Sequence, residues 1–386
     1  MMKKLKIFLF SDALGYELAQ RYRFMQDELP VRLPVRTQLG YSSTAVPTIL
    51  SGEPPTVHGH FSFFCRTGVT PFRFFKYLHP FLRPRFVFDN HRVRHKLSRL
   101  IAKWKKYTGY FNLYRVPYDR LPYFDYCEKK DIYAPGALAP APNIRDMLGA
   151  SGVRYHISDW RRGDDENIRK ALASIARKEY EFYFIYTGQL DGILHFHVHE
   201  PEVVEEAFAA LAKQVGKLLE TAHQHAEDVA FYLMSDHGMT PRTGVADLRP
   251  VLEGAPFRFG RDFLACYDST MLRLWVLNPE ARTPLMERVA GAPGHWLSED
   301  EKKAFNIDFS DNSYGDEIFL LDPGVQLAPS DMGAKAIPGM HGYSPDDPDS
   351  TAALLAERPP PFDPVTIADF FRLMRREAED LRGPGA

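Results

Sequence analysis

Cysteine is scarce in this chain. Of 386 residues only Cys65, Cys127 and Cys266 are cysteines. An odd, widely spaced set excludes a disulfide framework and a cysteine-built metal site, and it suits a reducing compartment. Long apolar runs are absent too, and no stretch approaches the roughly 20 residues of a membrane span. The opening MMKKLKIFLFSDALG has a basic head, but Lys6 breaks its short apolar run and no small-residue cleavage site follows. The expectation is a soluble, cytoplasmic protein. An excess of one charge is also missing, since 48 Lys and Arg against 50 Asp and Glu leave a formal net charge of −2. That balance argues against a protein built as a whole to bind nucleic acid. What the chain does have is 45% hydrophobic residues, enough for a sizeable core.

Three short apolar, aromatic and β-branched runs read as buried strands: KLKIFLFSD, EYEFYFIYTG and DVAFYLMSDHG. Between the last two, Phe208, Leu211, Val215, Leu218 and Leu219 repeat at helical spacing. Strand, helix, strand predicts a mostly parallel sheet flanked by helices, an α/β fold. Two stretches break this rhythm and are expected to be inserted caps on a single domain spanning 1–386. One, about 62–133, is aromatic and basic. The other, about 242–335, holds short runs such as TMLRLWVL and DEIFLLD. VTIADFFRLMRREAEDL reads as a closing amphipathic helix.

Each predicted strand ends near an acid: Asp12, Asp191 and Asp236. One acid at a strand end is ordinary surface chemistry. Three on the carboxyl edge of one sheet, where such folds bind ligands, call for a cation. Candidate partners lie close by. Asp191 and His195 are four apart, one helical turn. His237 follows Asp236 directly, and His341 stands in the glycine-flanked GMHGY. Mixed Asp and His donors suit zinc first, then manganese or iron. His197, His199, His223 and His225 read as ordinary surface histidines. A hydroxyl cluster, Ser42, Ser43 and Thr44, precedes a short apolar run ending at Gly52. Taken alone it reads most simply as helix capping. The other reading is a nucleophile at the positive end of a helix dipole.

In order, these motifs are an Asp, hydroxyls before SGEPPTVHG, DGILH, SDHGM and GMHG. The series resembles the alkaline phosphatase superfamily, in particular its type I phosphodiesterase/nucleotide pyrophosphatase branch. The resemblance implies two divalent metal ions, zinc or else manganese. One would be held by Asp191, His195 and His341, the other by Asp12, Asp236, His237 and the nucleophile's oxygen. It implies a nucleophile ten positions before the helix-closing glycine, which is Ser42, with Ser43 as the alternative one step along. Ser43 or Thr44 is then expected to cap the helix. The implied activity is phosphodiester cleavage through a phosphoserine-type intermediate. Phosphotransferase, phosphonate hydrolase and phosphomonoesterase are alternatives on the same scaffold, and a membrane-peripheral binding protein with a relic metal site is the non-enzyme reading.

The sequence departs from that branch at two places. Ser stands where many relatives use Thr, and Phe63 stands where they carry an oxygen-binding Asn, for which Ser62 or His60 could partly substitute. From Pro71 to Tyr107 there are eleven Lys or Arg and one acid, Asp89. Val93, Leu97, Leu100, Ile101 and Trp104 mark one apolar face of a predicted helix there. That pattern fits either a cap helix packed on the core or peripheral membrane contact through 71–107. Phe61–Phe64 and the aromatics Phe72, Phe74, Phe75, Tyr77, Phe81, Phe86 and Phe88 are expected to wall an apolar substrate group. The substrate expected is a phosphate ester, lipid-linked or glycan-linked among the options.

Overall fold

A computed structural model describes residues 2–82 and 88–382. Its centre is a six-stranded sheet, numbered here in chain order: β1 (Met2–Ser11), β2 (Val31–Val35), β3 (Tyr155–Ile157), β4 (Phe182–Thr187), β5 (Ala226–Met234) and β6 (Ala352–Ala356). The spatial order is β2-β6-β5-β1-β4-β3. β6 runs antiparallel to both its neighbours, whereas β5, β1, β4 and β3 are mutually parallel.

Alternation along β1 sends side chains to two cores. Ile7 and Leu9 pack with Phe208, Leu211, Val215 and Leu218 of the helix Pro201–His225. Phe8 and Phe10 pack on the opposite face with Ala45, Val46 and Ile49 of the helix Ser42–Ser51 and with Phe370, Leu373 and Met374 of the closing helix Asp369–Asp380. Lys6, which interrupts the first apolar run, is buried on this second side. Its ammonium meets Glu377 at 2.5 Å and Asp380 at 2.8 Å, both on the closing helix. The charge that spoils the run therefore locks that helix to the sheet.

Register decides where the site forms. Phe10 lies beside Tyr186 and Met234, and Ser11 beside Thr187. Asp12, Asp191 and Asp236 therefore leave the sheet at one edge within a few residues of each other.

Within 242–335 the chain builds a second sheet. It is four-stranded and antiparallel, with Phe263–Tyr267, Met271–Val276, Glu317–Leu321 and Gly294–Trp296 in that spatial order. At its heart Arg273 and Asp268 are both fully buried, with Nε 2.6 Å from Oδ2. Arg273 also donates to the Phe64 carbonyl and the Ser62 hydroxyl. The pair thus pins the Ser62–Phe64 segment onto the second sheet.

The predicted basic helix spans His91–Lys105. It is only in part a packed cap helix: Leu97 and Ile101 face the core, while Leu100 and Trp104 remain 65% and 62% exposed.

Candidate active site

Ser42 is the first residue of its helix. Its hydroxyl sits 3.1 Å from His237 Nε2. Around that contact the structure gathers all six acids and histidines picked out by their spacing. His237 Nε2 is 3.1 Å from Asp236 Oδ2 and 3.6 Å from Asp12 Oδ1. Asp191 Oδ1 is 3.4 Å from His195 Nε2 and 3.7 Å from His341 Nε2. The His237 and His341 rings stack with centroids 3.7 Å apart. Two sets have ligand atoms mutually within 4.8 Å: Asp12, Asp236 and His237, and Asp191, His237 and His341. His237 is common to both, and His195 stands just outside the second set.

These donors are aimed rather than merely close. A carbonyl can only accept, so His195 Nδ1 must donate to the Gly339 carbonyl at 2.9 Å, and His237 Nδ1 to the Gly238 carbonyl at 2.8 Å. Each ring is thereby turned so that Nε2 faces the carboxylates, as ligating imidazoles are usually held. Asp12 Oδ2 accepts from the Tyr186 hydroxyl at 3.1 Å, which leaves Oδ1 inward. Asp12 Oδ1, Asp236 Oδ2, Asp191 Oδ1 and His341 Nδ1 are buried without a hydrogen-bond partner. Unsatisfied buried polar atoms are costly singly, and three carboxylate oxygens gathered around His237 and His341 fit a divalent cation. The electrostatics agree. Burial, with the charges of Asp236 and Asp191, pushes Asp12 well above the usual carboxylate range. Burial also raises Asp191. Burial would lower His237, yet Asp236, Asp12 and Asp191 outweigh it and hold the ring up to about 10. His341, buried beside His237 and His195, is held well below the ordinary histidine range.

The expected helix cap is corrected. Tyr41 occupies the N-cap with no side-chain capping bond, Ser43 Oγ is buried without a partner, and Thr44 Oγ1 donates instead to the Phe61 carbonyl. Tyr41 contributes differently. Its hydroxyl accepts from the Thr270 backbone N–H at 3.0 Å, while Thr270 Oγ1 donates to the Gly342 carbonyl at 2.8 Å. One residue in the turn between the first two strands of the second sheet thus clamps the residue before Ser42 and the residue after His341. Gly342 (φ 95°) allows this approach, because a Cβ there would lie 2.8 Å from the Tyr41 ring.

A cavity of about 490 Å³ opens over the cluster. Its walls include Phe63, Tyr110, Tyr114, Tyr133, Trp160 and Tyr186, and its floor includes Asp12, Ser42, Asp191, His195 and His341. Only part of the predicted aromatic wall is here. Phe63 lines the cavity, packed against Tyr110 and Tyr114 with centroids 5.3 Å away in each case. Phe61 and Phe64 are fully buried. Phe72 and Phe75 serve a separate core, with Phe74 and Phe88 packed against it, and Tyr77 and Phe81 face outward. Phe86 falls outside the described residues. Ser62 is tied to Arg273 and His60 lines a different cavity, so neither stands in for the missing Asn. Glu128, which no spacing singled out, lines the main cavity with its Oε1 accepting the Tyr110 N–H at 3.0 Å. Burial pushes it up to about 8. His197, His223 and His225 bond to Glu200, Glu357 and the Thr221 carbonyl, away from the site.

Residues 41–344 match the family model described as type I phosphodiesterase / nucleotide pyrophosphatase. The chain belongs to that family. It is accordingly a phosphodiesterase/pyrophosphatase-type hydrolase of the alkaline phosphatase superfamily. No curated protein gives a significant match to the sequence. Among solved structures, human ectonucleotide pyrophosphatase/phosphodiesterase 5 is similar at TM-score 0.68 and 12% identity, covering 98% of this chain and 95% of that one. The murine protein, as an inactive variant in complex with AMP, is similar at TM-score 0.67 and 13% identity, with the same coverage. At such identities the likeness is one of fold.

Proposed function

We propose that this member of the family hydrolyses a phosphodiester bearing a bulky apolar or aromatic substituent, with Ser42 as nucleophile and two divalent cations, zinc first, held by Asp12, Asp191, His195, Asp236, His237 and His341. The observation that carries it is the convergence, around His237 Nε2, of Ser42 Oγ with unpartnered oxygens of Asp12 and Asp191 on the floor of one cavity and of Asp236 buried beside His237. Bound cations would supply the positive charge that favours an ionised hydroxyl and a departing oxygen.

Ser42 Oγ attacks phosphorus, the bond to the leaving alcohol breaks, and the alcohol takes up a proton from solvent as the serine proton departs. Water then attacks the phosphoserine diester, the Ser42–phosphorus bond breaks, and a phosphomonoester leaves with the hydroxyl restored. The helix N-terminus at Ser42 adds backbone dipole to the phosphoryl oxygens. His237 is a poor general base: with no cation the surrounding acids keep it protonated, and with one its lone pair is engaged.

The substrate preference rests on the walls. Burying one ring against Phe63, Tyr110 and Trp160 contributes on the order of 1.5–3 kcal/mol. Lys335 is the only lysine or arginine among the described lining residues. A diester's single charge suits it better than a nucleoside triphosphate's several. The test is kcat/KM on one zinc-loaded preparation for an aryl or lipid-like diester, a nucleotide and a simple monoester. The diester is expected to lead, and a clear lead for the monoester overturns the reading.

A further inference from the structure

The helix His91–Lys105 and the segment before it present a surface that neither the core nor the cavity uses. At 100° per residue, Arg94, Leu97, Ser98 and Ile101 share the side facing the protein, and Arg94, Ser98 and Ile101 are buried there. Arg94 is consumed by Asp89, 2.7 Å away, and Asp89 is the only acid between Pro71 and Tyr107. On the opposite side Arg92, Lys96, Arg99 and Lys103 form an exposed basic strip. Among the described residues none of the four pairs with a carboxylate.

Leu100 and Trp104 lie along the border between the two sides. Trp104 packs edge-on against Phe74 at 5.3 Å, which joins this border to the next turn of chain, where Tyr77 is 69% and Phe81 76% exposed. Arg73 and Lys76 are exposed in that same turn. Large apolar tips beside unpaired bases are costly to leave in water and match an anionic lipid boundary: rings and Leu100 enter the acyl border while the ammonium groups stay among the headgroups. A nucleic acid would use the bases and could stack on Trp104 and Tyr77, but it offers nothing to Leu100.

We infer that this face docks the protein peripherally on an anionic membrane surface. No helix among the described residues is long and apolar enough to cross one. The chain leaving this helix continues into Tyr110 and Tyr114 of the cavity wall, so docking and the wall share one segment. The proposal is independent of the chemistry assigned to Ser42.

The test is co-flotation of the full chain with vesicles of phosphatidylcholine alone or mixed with phosphatidylglycerol, beside a short DNA oligonucleotide as competitor. Two variants accompany it: Leu100→Ser with Trp104→Ser, and Lys96→Glu with Lys103→Glu. The wild type is expected to float with the anionic vesicles only and to be released by salt. Each variant is expected to lose about tenfold or more of that binding. Turnover of a soluble aryl diester should stay unchanged, because none of the four side chains touches the cavity. The inference is overturned if the wild type fails to bind anionic vesicles, if both variants bind as well as it does, or if DNA displaces the vesicles.

Discussion

At the residue scale, the informative groups are those whose polar atoms have nothing to do, or too much. Ser43 Oγ is buried without a partner, so Ser43→Ala removes no bond. Its unfolding free energy should stay within about 0.5 kcal/mol of wild type, rather than falling by the roughly 1 kcal/mol that losing a cap costs. Urea denaturation of the variant decides this. Glu128 is the opposite case, a carboxylate buried among aromatic walls. Burial is the leading cause of its raised pKa and Asp131 adds to it, while the Tyr110 N–H and Arg161 oppose. The folded state therefore holds the Glu128 proton more tightly than the unfolded chain does, and wild-type stability must fall as pH climbs from the ordinary glutamate value towards about 8. Glu128→Gln cannot ionise. Between about pH 5 and about pH 9 the wild type should lose up to about 5 kcal/mol relative to this variant. Denaturation curves for the two proteins that stay parallel across that range would show Glu128 to be better solvated than its burial implies.

At the element scale, the second sheet has a task beyond covering the site. Thr270 joins Tyr41 to Gly342, and Arg273 with Asp268 fixes the chain from Ser62 to Phe64. Asp268→Asn leaves a fully buried guanidinium without its counter-charge and should cost about 3–5 kcal/mol, read as a lowered urea midpoint. Thr270→Val keeps the backbone bond to Tyr41 but removes the Oγ1 bond to the Gly342 carbonyl and the 3.0 Å Oγ1 contact with the Tyr41 hydroxyl. It should cost only about 1–2 kcal/mol and lower kcat more than it raises KM, chiefly by loosening the seat of His341. Equal activity in the Thr270 variant would show that the clamp is incidental. The contacts of Thr270 with Tyr41 and Gly342, and of Arg273 with Ser62 and Phe64, were invisible in the sequence because they join residues more than seventy positions apart through hydroxyls and carbonyls, which leave no periodic trace. The strands carrying Asp12, Asp191 and Asp236 were legible for the opposite reason. Buried parallel strands are short apolar runs, and each is followed within a few residues by its acid, Asp191 in the first turn of the helix Gln189–His197. The aromatic cap was misjudged because a phenylalanine that walls a cavity and one that fills a core look alike in sequence. Phe63 and Phe64 are adjacent and do one of each.

At the scale of the whole molecule, a six-stranded sheet gathers three acids at one edge, and the helix Gln189–His197 brings His195 to them while loops bring His237 and His341. If divalent cations complete the cluster, chelation should destabilise the fold, because buried carboxylates are then left facing each other. Thermal unfolding with and without chelator should differ by several degrees, in a manner that depends on free metal concentration. Identical unfolding curves would mean that the six side chains tolerate each other unaided. The central claim is that Ser42 performs the displacement while the acids and imidazoles hold the cations. The most direct measurement is turnover of an aryl phosphodiester by zinc-loaded Ser42→Ala, with bound metal counted in the same sample. Expected are wild-type metal content and a loss of about 10³-fold or more in kcat. A variant that keeps its metal and turns over within about tenfold of wild type would remove Ser42 from the chemistry.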